Sequence, residues 1–351
     1  MQTWEDYVRK VVPYTPGEQP NRPNMIKLNT NENPYPPAPG AARALRELDL
    51  DSLRRYPDPA AGVLVEAIGE YYGLPKQQVF VGVGSDDVLA MSFLTFFNSK
   101  KPVLFPDITY SFYDVWADLY RIPYECPPLD ENFQILTEDY LRDCGGIVIP
   151  NPNAPTGVEK PLEELERIIA GNPEVIVIID EAYIDFGGTS AVSLLPKYEN
   201  LLVVQTFSKS RSLAGMRIGY AMGNEKLIRY LNDVKYSFNS YTMDVTALAA
   251  GVEALKDDTY FRETLQKIIN TRERTKRELH RLGFVFADSK SNFIFASHPK
   301  CPAKEIFEAL KKEDIYVRYF QKPRIDNYLR ISIGTDQEMD VLLGFLEDYL
   351  K

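Results

Sequence analysis

The stretch from Thr206 to Arg217, Thr-Phe-Ser-Lys-Ser-Arg-Ser-Leu-Ala-Gly-Met-Arg, sets a lysine and an arginine among small hydroxyl residues. It follows directly on an apolar run, Leu201 to Phe207, that reads as a buried strand. Lys209 would then sit where the chain leaves a sheet, at the edge where α/β sites form, with its amine aimed into a crevice. A protonated lysine, with a solution pKa of about 10.4, is a poor nucleophile. As a Schiff base with an aldehyde cofactor it is held in a reactive form. The neighbouring hydroxyls and guanidinium suit a phosphate, so the aldehyde these groups fit is pyridoxal phosphate.

That cofactor needs an acid opposite its ring nitrogen, a donor near its phenolic oxygen, a flat partner for its face and donors for its phosphate. Val175-Ile176-Val177-Ile178-Ile179 ends in Asp180, which a strand would deliver to the same sheet edge, while Tyr183 could donate to the phenolic oxygen. A strand-terminal Asp that caps the next turn is the alternative. Val81-Gly82-Val83-Gly84-Ser85-Asp86 joins a strand to an apolar helix, so the N–H groups of Ser85 and Asp86 could cradle a phosphate; a plain capping turn would look the same. Thr206, Ser208 and Arg217 add donors. Tyr110, after Pro106-Asp107-Ile108-Thr109, is placed either to stack on the ring or simply to pack. Asn151-Pro152-Asn153-Ala154-Pro155-Thr156-Gly157 leaves another strand and turns tightly, with or without a role in binding.

The elements that must position these residues alternate between short apolar runs and amphipathic segments, which predicts an α/β fold with a mostly parallel sheet flanked by helices. Strands are expected at 79–84, 102–106, 145–150, 175–180, 201–207 and 218–222, and helices at 60–73, 86–97, 109–120 and 161–171. From about 243 the pattern changes to one long charged helix reaching 281, then strands around 284–286, 292–295, 315–320 and 328–333, and helices at 302–313 and 336–350. The expected division is an N-terminal arm at 1–40, rich in proline, a large domain at 41–242 and a smaller α+β domain at 243–351.

The chain of 351 residues carries a net charge of -10 with no basic stripe, which argues against nucleic acid or an anionic membrane as partner. Residues 1–20 hold no continuous hydrophobic segment, and no later stretch approaches transmembrane length, so a cytoplasmic location is expected. Cys126, Cys144 and Cys301 form neither a disulfide framework nor a thiolate zinc site. His280 and His298 lie away from any nucleophile motif, and no metal is expected.

Gly84-Ser85-Asp86, Asn153-Ala154-Pro155-Thr156-Gly157, Asp180-Glu181-Ala182-Tyr183, Ser208-Lys209 and Arg217, in this order, resemble the fold type I pyridoxal-phosphate aminotransferases. More narrowly, Leu28-Asn29-Thr30-Asn31-Glu32-Asn33-Pro34-Tyr35, Arg55-Tyr56-Pro57-Asp58-Pro59 and Tyr328-Leu329-Arg330-Ile331-Ser332-Ile333-Gly334 are similar to the histidinol-phosphate aminotransferases. The resemblance covers nearly the whole chain. It implies amino transfer between histidinol phosphate and 2-oxoglutarate in histidine biosynthesis. An aromatic aminotransferase or a threonine-phosphate decarboxylase of the same fold is the alternative.

The resemblance further implies that Lys209 binds the cofactor and shuttles the proton. Asp180 and Tyr183 serve the ring nitrogen and phenolic oxygen. Ser85, Asp86, Thr206, Ser208 and Arg217 surround the phosphate, and Tyr110 stacks on the ring. Tyr56 reaches the cofactor of the neighbouring subunit in a homodimer. Arg330 binds the anionic end of the substrate, Arg318 is either a second contact or a surface ion pair, and Tyr14 and Asn33 close the pocket. Ala154 stands where many relatives carry asparagine, which leaves the usual amide contact to Asn153 or a water.

Overall fold

The computed structural model describes residues 2–351. The first strand, β1 (Ile26–Leu28), follows an irregular arm and precedes α1 (Pro39–Arg46) and α2 (Gly62–Tyr72). The next block alternates β2 (Val79–Val83), α3 (Gly84–Phe96), β3 (Val103–Leu104), α4 (Tyr113–Tyr120), β4 (Tyr124–Glu125), β5 (Gly146–Pro150), α5 (Leu162–Gly171), β6 (Val177–Asp180), β7 (Leu201–Thr206) and β8 (Ile218–Gly223). Its strands form one seven-stranded sheet in the order β2-β8-β7-β6-β5-β3-β4. Only β8 runs against its neighbours.

Every residue of β5, β6 and β7 is buried. Both faces of these strands are covered, which is why the sequence shows continuous apolar runs rather than alternation. Val148, Ile178 and Leu202 pack with Val88 and Leu89 of α3 and Trp116 of α4. Ile149, Ile179 and Val203 on the other face pack with Leu64 and Ile68 of α2 and Ile168 of α5. Successive residues therefore point to opposite sides, and the side chains of Asp180 and Glu181 part company at the end of β6.

The remainder comprises α6 (Glu225–Phe238), α7 (Val245–Lys256), α8 (Asp258–Arg281), β9 (Val285–Phe286), β10 (Phe293–Ser297), α9 (Ala303–Lys312), β11 (Ile315–Tyr319), β12 (Leu329–Ser332) and α10 (Asp336–Tyr349). The single helix expected over 243–281 is two. The backbone leaves helical geometry at Asp257, whose side chain accepts from the Tyr260 N–H and caps α8. α6, capped by Asn224, and the short β4 were not expected. The helix expected from 109 begins only at Tyr113, which leaves Thr109–Phe112 as a loop beside the site.

A second sheet has the order β1-β11-β12-β10-β9. Its edge strand comes from the segment expected to be arm: Ile26 pairs in parallel with Ile315. The following residues, 29–35, therefore run between the two sheets. Among the described residues no helix is long and apolar enough to cross a membrane.

Candidate active site

The carboxyl ends of β2, β5, β6 and β7 and the start of the antiparallel β8 meet at one edge of the large sheet. There they enclose a cavity of about 180 Å³. Ser85, Asp86, Tyr110, Asp180, Tyr183, Thr206, Ser208, Lys209 and Arg217, all expected from the sequence, line it together.

Asp180 is buried at the end of β6. Its Oδ2 accepts from the Tyr113 hydroxyl at 2.6 Å and its Oδ1 from the Ala182 N–H at 3.2 Å. Burial pushes its carboxyl up to about 6, against the opposing pull of those two donors. A cation set beside it would be bound strongly, because the carboxylate is short of positive partners. Lys209 lies across the cavity. Its Nζ donates to the Thr30 carbonyl at 3.2 Å and stands 5.7 Å from the centre of the Tyr183 ring.

One end of the cavity is built around the start of α3. Gly84 opens α3 at a φ of +84°, a conformation that favours glycine. The N–H groups that follow have no partner within the helix. β8 approaches this turn so closely that a Cβ at Gly219 would lie 2.2 Å from the Ser85 nitrogen. Arg217 reaches Ser208 Oγ at 3.4 Å and Asp86 Oδ2 at 3.2 Å, while Tyr110 donates to Asp86 Oδ1 at 2.7 Å. The Asp86 carboxylate is thus engaged by its own neighbours. Asp87 takes the capping role by accepting from the Val83 N–H. Thr206 Oγ1 accepts from the Ser208 N–H at 3.1 Å and lies 3.0 Å from Ser208 Oγ.

An electrophile-binding amine, a buried acid, a tyrosine hydroxyl and a glycine-opened helix end with an arginine form the donor set that pyridoxal phosphate requires, and the residues fit it. The cradle at Gly84 and Gly219 is the structural test of that fit, since a side chain on Gly219 would close it.

Other expected residues stand elsewhere. Asn153 is turned away from the cavity: its amide donates to the Ile108 carbonyl and to Thr156 Oγ1 and accepts from Thr109. The methyl group of Ala154 lines the wall instead. The expected contact of the Asn153 side chain with the phenolic oxygen is therefore corrected, because the turn uses every polar atom of that amide. Asn33 does not face the cavity either; it donates to the carbonyls of Lys209 and Ser210, at 3.1 and 3.0 Å, and steadies the lysine loop.

Tyr14 stacks on Phe112 and, with Arg318, lines an adjoining cleft of about 570 Å³. Arg330 is clamped between the rings of Phe293 and Phe320 and donates to the Asn29 carbonyl. Burial, followed by nearby Arg318, lowers its pKa, and its Nε is buried without a partner. Arg330 lines neither this cavity nor the adjoining cleft. Tyr56 is 82% exposed and stacks on Tyr241, away from this cavity.

Sequence reasoning assigned no role to Thr30 and Glu32, which also line the cavity, or to Tyr113. The motif Asn29 to Asn33 was the available signal for the first two; nothing in the sequence distinguishes Tyr113 from the aromatic residues around it. Burial alone would raise Glu32, but hydrogen bonds from Lys27 and Thr30 and the charges of Lys27 and Lys209 leave its carboxyl below the usual range.

Residues 23–346 match the family model for aminotransferase class I and II. The chain is 52% identical to the histidinol-phosphate aminotransferase of Lactococcus lactis subsp. cremoris, over 99% of this chain and 98% of that protein. It is also 52% identical to that of Clostridium beijerinckii, over 99% and 97%. The crystal structure of the histidinol-phosphate aminotransferase from Clostridium acetobutylicum superposes with a TM-score of 0.84 at 25% identity, covering 93% of this chain and 99% of that one. That of the Sinorhizobium meliloti enzyme in complex with pyridoxal-5'-phosphate gives 0.85 at 24%, covering 93% and 90%, a likeness of fold. With a family model spanning nearly its full length, and Lys209, Asp180 and Arg217 gathered at one sheet edge, the chain belongs to the class I and II aminotransferases.

Proposed function

We propose that the chain is a histidinol-phosphate aminotransferase, which moves an amino group between histidinol phosphate and 2-oxoglutarate, with pyridoxal phosphate as cofactor. The observation that carries this reading is identity of 52% over nearly the full length to relatives of that name. Nine residues expected around the cofactor line the pocket together, which supports the cofactor part of the reading. When bound, pyridoxal phosphate supplies a sink for the electrons left behind as the substrate's α-carbon loses its proton.

Lys209 Nζ would hold the cofactor's aldehyde and would carry the proton of the substrate's α-carbon. Asp180 would keep a proton on the ring nitrogen, and Tyr183 would donate to the phenolic oxygen. Tyr110 would stack on the ring. Ser85, Asp86 through its backbone N–H, Thr206, Ser208 and Arg217 hold the phosphate. Arg330 receives the anionic end of each substrate in turn, first phosphate and then carboxylate, which one guanidinium can do. Arg318 and Tyr14 border the adjoining cleft and would extend the substrate site.

In the same reading residues 41–242 hold the cofactor, 243–351 carry the substrate arginines and 1–40 form an arm whose β1 joins the second sheet. Tyr56 belongs to a homodimer and reaches the neighbouring subunit's cofactor, a role that its exposure in the single chain supports. The enzyme would act in histidine biosynthesis in the cytoplasm.

The test is spectrophotometric. Protein loaded with pyridoxal phosphate should lose its visible band on addition of histidinol phosphate and regain it with 2-oxoglutarate, with glutamate formed. No response to histidinol phosphate, or release of carbon dioxide from a phosphorylated amino acid, would overturn the assignment. Lys209→Ala should show neither the band nor turnover.

A further inference from the structure

Tyr183 has one hydroxyl hydrogen, and its use depends on what the hydroxyl meets from behind. The Nδ2 of Asn31 donates to the Tyr183 oxygen at 2.9 Å. Asn31 is buried and fixed from three sides. Its N–H donates to Ser332 Oγ at 3.0 Å, the Ser332 hydroxyl donates back to its Oδ1 at 2.9 Å, and its carbonyl accepts from Asn292 Nδ2 at 3.0 Å.

This arrangement sets the polarity of the amide. Turned over, Asn31 would present Oδ1 to Tyr183 and take its hydrogen, and the Ser332 hydrogen would face an NH2 group. With the amide as it stands, Ser332 has its acceptor and the Tyr183 hydrogen has none behind it. On the wall at Ala154 the side chain has no donor to offer.

We infer that Asn31, locked by Ser332, is a positioning residue that keeps the Tyr183 hydroxyl a donor toward the cofactor's phenolic oxygen. The inference rests on the function proposed above. It assigns the buried Asn31 and Ser332 to control of that single hydrogen bond, with the second sheet, through β12, supplying the lock.

The experiment compares Asn31→Asp, Ser332→Ala and Tyr183→Phe, singly and with each of the first two combined with the third, all loaded with pyridoxal phosphate. The readouts are the midpoint pH of the visible absorbance change and cofactor affinity by fluorescence titration. Asp is tolerated at the positive φ of residue 31, +57°, and its carboxylate accepts where the amide donates.

A donor to the phenolic oxygen favours loss of the proton at the lysine nitrogen, so removing it raises the midpoint. Tyr183→Phe and Asn31→Asp should each raise it by about one pH unit or more, the size expected for a hydrogen bond to a charged oxygen. Ser332→Ala should raise it by less, with no change of charge. In the Tyr183→Phe background the Asn31→Asp shift should fall below half, and that of Ser332→Ala should vanish.

Shifts that persist undiminished in that background, or single variants that leave the midpoint unmoved, would overturn the inference. Ser332→Ala answers the question by itself should Asn31→Asp fail to fold. Wild-type protein that forms no pH-dependent visible band would instead strike the proposed function, which keeps the two failures apart.

Discussion

Asp180 shows why a residue suited to a cofactor is a burden without one. Burial raises its carboxyl to about 6 from the 3.8 of an exposed aspartate, so the folded apoprotein binds a proton there more tightly than the unfolded chain does. Its stability is greatest below the lower value and falls as pH rises through that window, by roughly 1–3 kcal/mol. Asp180→Asn should therefore make the apoprotein more stable than wild type at pH 7 to 8, and comparable at pH 4, by denaturant titration, while abolishing amino transfer. Arg330→Ala removes a charged donor that has an unmet Nε–H, and should raise KM for histidinol phosphate about 10- to 100-fold, in line with ~1.5–3 kcal/mol for charge-assisted bonds. Initial-rate measurements against both substrates would check it. That Lys209, Asp180 and Arg217 gather at one cavity was legible because strand ends mark a sheet edge. The neighbours Asn153 and Ala154 were not: which of the two faces inward is decided by the Ile108 carbonyl and the Thr109 hydroxyl, partners from a distant segment. The pairing of Asn31 with Tyr183 has the same origin.

The cradle at the start of α3 depends on two elements touching at glycine. A Cβ at Gly219 would meet the Gly84 carbonyl carbon and the Ser85 nitrogen, both at 2.2 Å, so β8 and the start of α3 would have to separate. Gly219→Ala should weaken pyridoxal-phosphate binding at least tenfold and lower stability by about 1–3 kcal/mol, the usual cost of overpacking; fluorescence titration and thermal melts would read the two effects. At Gly84 the new Cβ would press chiefly on the movable end of Arg217, and strain from the positive φ becomes the larger concern. Long apolar runs made β5, β6 and β7 visible in the sequence, because both faces of each strand are covered. The break between α7 and α8 was hidden within a charged, helix-favouring stretch and hangs on the cap at Asp257. β1 and β4, of three and two residues, carry too little pattern to be seen and exist because a neighbouring strand is there to pair with.

At the scale of the molecule, Tyr56 and Phe238 are 82% and 73% exposed, and Tyr241, which stacks on Tyr56, lies three residues beyond Phe238. If this face joins two subunits, sedimentation should find a dimer at micromolar concentration, and Phe238→Asp should yield monomer with weakened cofactor binding. A second connection lies within the chain. Arg324 donates to Asp107 and to the carbonyls of Leu129 and Asp130, which ties the loop before β12 to the segments beside β3 and β4. The most consequential tie is the earliest in sequence. β1 pairs with β11, so Ile26 waits for Ile315 before it has a strand partner, and Asn31, which meets Tyr183, lacks its hold on Ser332 until β12 follows. During synthesis on the ribosome, the residues of the large sheet emerge and can pair while the first strand is still without its neighbour. The pocket's support is thus completed only after β11 and β12 have been made, so a nascent chain halted before that point would carry Lys209 and Tyr183 without the lock behind Asn31.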